Sequence, residues 1–212
     1  MYEQACKRLH EVVNSGPRHS FGISDWPVPI NGVYFIFEAG EGSHNAERIV
    51  LIGTHNGEGN LAPRLREHMR MNKDRSVFRK HVGRALLQKD NDPYLDVWNL
   101  DFTTRQARET SGHRMDKNRQ TEIETLVSSH IEERMSFTVL PTSDSVESRE
   151  LARLSIGTVS SCAECNPSRD WLGQHADPRI AQSGLWQVMH LYRHGYAPSE
   201  LESALNGQKN LS

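Results

Sequence analysis

Gly32-Val33-Tyr34-Phe35-Ile36-Phe37 opens one apolar run, Ile49-Val50-Leu51-Ile52-Gly53 closes a second, and Arg64-Leu65-Arg66-Glu67-His68 follows about a dozen residues later. These segments decide the reading of the chain. The first two are short and rich in β-branched and aromatic residues, and the polar stretch between them, Gly40 to Ala46, reads as a loose turn. They are expected to pair as a hairpin. A Gly- and Asn-rich loop, Thr54-His55-Asn56-Gly57-Glu58-Gly59-Asn60, precedes Pro63, which suits the first turn of a helix. That helix carries Arg64 and His68 four positions apart, so both face one way. A phenol can accept a proton, a guanidinium can hold a phosphate, and an imidazole can relay protons near neutral pH. Tyr34, Arg64 and His68 therefore form a candidate site for chemistry on a phosphodiester.

Outward from this unit, Ala5, Leu9, Val12 and Val13 have helical spacing from Tyr2 to Asn14, stopped by Gly16-Pro17. A basic helix is expected over Val77 to Gln88, with Phe78, Val82, Ala85 and Leu86 on its buried side. Leu95 to Leu100 reads as a short strand, and Thr103 to Arg119 as a mobile polar insertion. Thr121 to Glu133 is amphipathic, Phe137 to Leu140 reads as a third strand ended by Pro141, and Glu147 to Ser161 as a helix. The tail from Cys162 is expected to hold helices near Leu185 to Tyr192 and Ser199 to Leu205. The fold class is thus α/β: a small, mainly antiparallel three-stranded sheet flanked by helices. A single domain spans 1–212, with a core of about 30–165, a polar insertion of about 90–120 and a C-terminal extension of about 166–212.

The 212 residues are 36% hydrophobic, enough for one sizeable core. The net charge of −2 argues against a nucleic-acid partner, but its distribution argues for one. From Leu61 to Arg84 eight Lys or Arg face two acids, Glu67 and Asp74, a local balance of +8 − 2 = +6. Arg66, Arg70, Lys73, Arg79 and Lys80 in this patch are the candidate contacts to nucleic acid. Three cysteines make a disulfide framework unexpected, and no signal core or membrane-length apolar run is present. The chain reads as cytoplasmic, with no membrane partner; a homo-oligomer stays open.

Taken together, Gly32-Val33-Tyr34, Leu51-Ile52-Gly53 and Arg64-x-x-x-His68 resemble the motifs of the GIY-YIG nuclease family. Val33 replaces the family's Ile, and Leu51 stands where the family usually has Tyr. The resemblance implies a divalent-metal-dependent endonuclease acting on DNA, double-stranded first, of restriction or defence type. It implies that Tyr34 helps activate the attacking water and that Arg64 and His68 act at the phosphate. His55, directly after Gly53-Thr54, is the candidate to replace the missing phenol.

The family also places a Glu on a later helix, four residues before an Ile, to hold one Mg²⁺ or Mn²⁺. With Ile156 as the register, the matching position is Ala152, which cannot bind metal. Three alternatives stay open: a natural loss of catalysis, a shifted register with Glu150 as ligand, or a change from a native Glu. Glu150 and Glu147 lie roughly 200° and 140° from position 152 around a helix. Asn166 matches an Asn that braces the family's site. Cys162-Ala163-Glu164-Cys165 invites zinc, with His175 or Cys6 to complete a site, though no second Cys pair is present. Two rivals to a working nuclease follow: a nuclease-like fold that only binds nucleic acid, and a zinc-stabilised interaction domain.

Overall fold

The computed structural model describes residues 2–23 and 25–208. Its centre is an antiparallel sheet of β1 (His19–Ser20), β2 (Gly32–Ser43), β3 (Ala46–Gly53) and β4 (Met135–Pro141), in the order β1-β4-β2-β3. The sheet has four strands where three were expected. The addition, β1, pairs only His19 with Phe137 and Ser20 with Ser136, too short for an alternation to reveal it.

The hairpin forms as expected, but its turn is tight. β2 runs on to Ser43, and only His44 and Asn45 turn the chain, both in the left-handed region with φ of 52° and 60°. Those two positive φ values fit the two-residue turn that matches strand twist. Gly40 and Gly42, which suggest a loose loop, instead sit in a strand whose register shifts between Phe37 and Gly42.

β2 is buried on both faces, which is why it reads as one apolar run. Val33, Phe35 and Phe37 pack with Leu9, Val13, Leu151, Ile156 and Leu201. These come from α1 (Glu3–Ser15), α7 (Ser145–Ser160) and α9 (Pro198–Gln208), all numbered in chain order. On the opposite face Tyr34 and Ile36 join Leu65, Phe78, Val82 and Ile131. Those belong to α2 (Leu61–Glu67), α3 (Val77–Lys89) and α6 (Lys117–Arg134).

The stretch expected to be a strand and a mobile loop is largely helical. α4 (Leu95–Trp98) replaces the strand at Leu95 to Leu100, because Trp98 turns inward and its indole N–H donates to the Lys80 carbonyl at 3.0 Å. α5 (Arg105–Ser111) buries no side chain and starts at Thr104, whose hydroxyl accepts from the Ala107 N–H. Asp116 caps α6 through the Asn118 and Arg119 N–H groups, so that helix begins earlier than its apolar spacing indicates.

The tail holds α8 (Pro178–Ser183), and the helix expected at Leu185 to Tyr192 is absent. β3 is the edge of the sheet, and its unpaired groups take the tail instead. The Trp186 N–H donates to the Val50 carbonyl at 2.7 Å, and the Ile52 N–H donates to Gln187 Oε1 at 3.0 Å. Buried Glu38 anchors the same segment by accepting from the indoles of Trp171 and Trp186 at 2.8 and 2.9 Å, with His130 at 3.0 Å. Burial pushes the Glu38 carboxyl up, but His130 and the two indoles outweigh it and hold it below its ordinary value. Among the described residues no helix is long and apolar enough to cross a membrane.

Candidate active site

Tyr34 faces Gly53 across the β2–β3 ladder, and its ring lies over that glycine. A Cβ at position 53 would sit 2.2 Å from the Tyr34 hydroxyl and ring. The two short motifs are thus halves of one contact. Lying across Gly53, the phenol reaches α2, where its Oη is 2.8 Å from His68 Nε2. The second ring nitrogen of His68, Nδ1, is 2.9 Å from the hydroxyl of Ser76, the N-cap of α3.

Both side chains are largely buried, with Tyr34 2% and His68 1% exposed. Burial holds the His68 imidazole well below its ordinary pKa, helped by the Arg64 and Arg79 guanidinium groups, so the ring is neutral at physiological pH. Burial likewise raises the Tyr34 phenol, while Arg64 beside it works in the opposite direction. Arg64 itself is about one-third exposed and stays within 3.5 Å of Glu67, with a 3.4 Å hydrogen bond to the Arg75 carbonyl.

Tyr34, Arg64 and His68 line one side of a cavity of about 740 Å³. The opposite side is α7, which presents Val146, Arg149, Ala152, Arg153 and Ile156, and the Trp186–His190 segment closes a third wall. Positions 149, 152, 153 and 156 follow helical spacing, so one face of α7 looks into the cavity. Ala152 is 4% exposed on that face. Glu150 also reaches the lining, but both its oxygens are taken by Arg153, at 2.6 and 2.9 Å. That pairing holds the Glu150 carboxyl below its ordinary value.

The donor set does not fit a divalent cation. A hard cation wants carboxylate and carbonyl oxygens, whereas the cavity carries Arg64, Arg149 and Arg153, and Glu150 is its one acidic lining residue among the described residues. Its charged lining groups are three guanidinium groups and one carboxylate already paired to Arg153.

The other residues singled out in the sequence lie elsewhere. His55 is 2% exposed and does not line the cavity. Its Nδ1 meets the Gly57 carbonyl at 2.7 Å, and its Nε2 accepts from the Gly32 N–H at 3.3 Å. Both nitrogens are engaged in holding the loop to the start of β2. Arg79 is fully buried, its guanidinium donating to the Glu124 carboxylate at 2.7 and 3.1 Å. Lys73 is buried too, donating to the Leu100 carbonyl at 2.6 Å and pairing with Asp74 at 2.8 Å. Neither charge is open to a duplex, so the basic patch shrinks to its surface members. Arg66 and Arg70 are exposed, whereas Lys80 is largely covered. Asn166 is exposed and donates to the Ala163 carbonyl, away from the cavity lining.

Sequence reasoning missed Arg149, Arg153 and Ser76. The two arginines were legible as neighbours of position 152 on a helical face. Ser76, eight residues after His68, had only an N-cap signal.

A family model described as "GIY-YIG domain" matches residues 6–208 of the chain. No curated protein and no solved structure shows significant similarity to it.

Proposed function

Because the chain belongs to the GIY-YIG nuclease family, we propose that it binds the backbone of double-stranded DNA in the cavity between α2 and α7, as an endonuclease fold lacking its cation ligand. The observation that carries this reading is the pairing of Tyr34 Oη with His68 Nε2 at 2.8 Å, on the wall that also holds Arg64.

In this reading Arg64, Arg149 and Arg153 hold the phosphate, guanidinium groups being suited to two-pronged contacts with phosphate oxygens. Exposed Arg66 and Arg70 extend the contact along the backbone. Ser76 has two lone pairs, so it accepts from both the Arg79 N–H and a proton on His68 Nδ1. His68 Nε2 would then be free, in a form with the cation ligand restored at position 152, to take the phenol proton as Tyr34 accepts one from water. The raised phenol favours this relay over a standing phenolate. His55 stays outside the reaction and fixes the loop that precedes α2.

The family's divalent metal has no ligand at Ala152, so no step is assigned through it. This chain therefore binds DNA without cleaving it at an enzyme's rate. Titrating Mg²⁺ or Mn²⁺ into the parent chain and Ala152→Glu, with a plasmid substrate and fluorescence anisotropy on a short duplex, tests this. Both proteins are expected to bind with steep salt dependence. Ala152→Glu is expected to cut at least about a hundredfold faster, equivalent to roughly 3 kcal/mol of transition-state stabilisation. Equal cleavage by the two would remove position 152 from the cation site, and absence of binding at low salt would overturn the reading of the cavity.

A further inference from the structure

Outside the lining of the cavity, the fold gathers three thiols and one imidazole from three places in the sequence. Cys6 comes from α1, His44 from the β2–β3 turn, and Cys162 and Cys165 from the turn after α7. One ligand atom from each lies within 4.8 Å of every other. Cys6 Sγ is 3.3 Å from Cys165 Sγ, and Cys162 Sγ is 3.4 Å from His44 Nε2. The three cysteines are free and buried, and the His44 side chain is 1% exposed.

We propose that Cys6, His44, Cys162 and Cys165 bind one structural zinc ion.

The spacing is right for it: thiolates about 2.3 Å from a tetrahedral ion stand roughly 3.8 Å apart, so the thiols need only small adjustments. Soft sulfur with one imidazole selects zinc over the hard cations. Four protein ligands and full burial leave no open position, as in structural zinc sites.

The surroundings supply what such a site requires beyond its ligands. His44 Nδ1 is 3.1 Å from Glu164 Oε2, close enough to pair with it without yet forming a hydrogen bond. A carboxylate behind a ligating imidazole fixes the tautomer that leaves Nε2 free for the metal. The Ser43 hydroxyl lies 3.3 Å from Cys165 Sγ. His10 is close, 3.9 Å from Cys165 Sγ, but is otherwise employed. Its Nδ1 meets the Cys6 carbonyl at 2.9 Å and its Nε2 accepts from the Ile49 N–H, which excludes it as a fifth ligand.

The direction of the His44 side chain is a further sign of a ligand. It sits at a hairpin tip, where side chains usually meet water, yet it is turned inward onto the cysteines. Zinc binding supplies a reason for that orientation. The ion would tie the C-terminal end of α7 to α1 and the hairpin, fixing the helix whose other end faces the cavity. The site stands independently of the nuclease reading.

The test uses the full chain expressed with zinc present. Elemental analysis after dialysis is expected to give about one zinc per chain. Replacement with Co²⁺ is expected to give thiolate-to-cobalt charge-transfer absorption and the intense visible bands of a tetrahedral site. Cys165→Ser and His44→Ala should each lower retained zinc at least about tenfold. Glu164→Gln, which keeps all four ligands and the fold, should weaken zinc binding about 10- to 100-fold in a chelator competition. A folded parent chain with three reduced thiols, no zinc and no cobalt spectrum would overturn the proposal. So would a Cys6–Cys165 disulfide found by mass spectrometry in protein purified without oxidant.

Discussion

Gly53→Ala tests whether the two short motifs exist to make one contact. The added methyl would lie 2.2 Å from the Tyr34 ring and hydroxyl, far inside van der Waals contact, and the ring is packed with 2% exposure. Overpacking of this kind costs about 1–3 kcal/mol. Displacing the ring also breaks the bond to His68, worth about 0.5–1.5 kcal/mol. Lower unfolded-state entropy returns about 0.4–1 kcal/mol, leaving a net loss of about 2–3 kcal/mol at the middle of these ranges. For a chain of this length that lowers Tm by roughly 5–10 °C. The control is the Tyr34→Ala background, where the clash partner is gone and Gly53→Ala is expected to be neutral or stabilising by up to about 1 kcal/mol. Urea unfolding of the four proteins gives the coupling directly. A loss of about 2–3 kcal/mol that persists without Tyr34 would refute the reasoning, since glycine would then be needed by something other than the phenol.

Arg79→Ala is expected to destabilise the fold by about 3–5 kcal/mol in urea unfolding, because it strands the buried Glu124 carboxylate, and to leave the salt dependence of DNA binding unchanged. Arg70→Ala should do the reverse, reducing the slope of log K against log salt by about one with stability within about 0.5 kcal/mol of the parent. Acid should weaken the fold through its buried histidines. His81 is pushed down to about 4 by burial, with Arg84 adding to it, so the unfolded chain binds more protons below its ordinary pKa. The stability that neutral His81 contributes is present above about pH 6.5 and falls away as the pH drops toward 4, a loss of about 2 kcal/mol by pH 5. His68 acts in the same direction. Urea unfolding at pH 7 and pH 5 should show this drop, and His81→Leu should lessen it.

The sequence by itself determined the local elements and the axis of the site. The apolar runs of β2 and β3, Pro63 in the first turn of α2, and the four-residue spacing of Arg64 and His68 follow from side-chain periodicity and backbone constraint, which are properties of neighbouring residues. The nuclease family was legible for the same reason, since its motifs lie within such elements. The helical register also placed position 152 on the face of α7 that lines the cavity. Tertiary structure alone decided which charges remain available: Arg79 and Lys73 lie in the same basic stretch as Arg70, but burial against Glu124 and Leu100 removes them from the surface. It decided that His55 holds a loop, because Gly32 and Gly57 meet its two nitrogens. It turned the expected Leu185 to Tyr192 helix into an edge cover for β3, where unpaired strand groups outweigh helical spacing. And it brought His44 to Cys6, 38 residues before it, and to Cys162 and Cys165, more than a hundred residues after it, a proximity that no local spacing encodes because it depends on how the hairpin, α1 and α7 pack on one sheet.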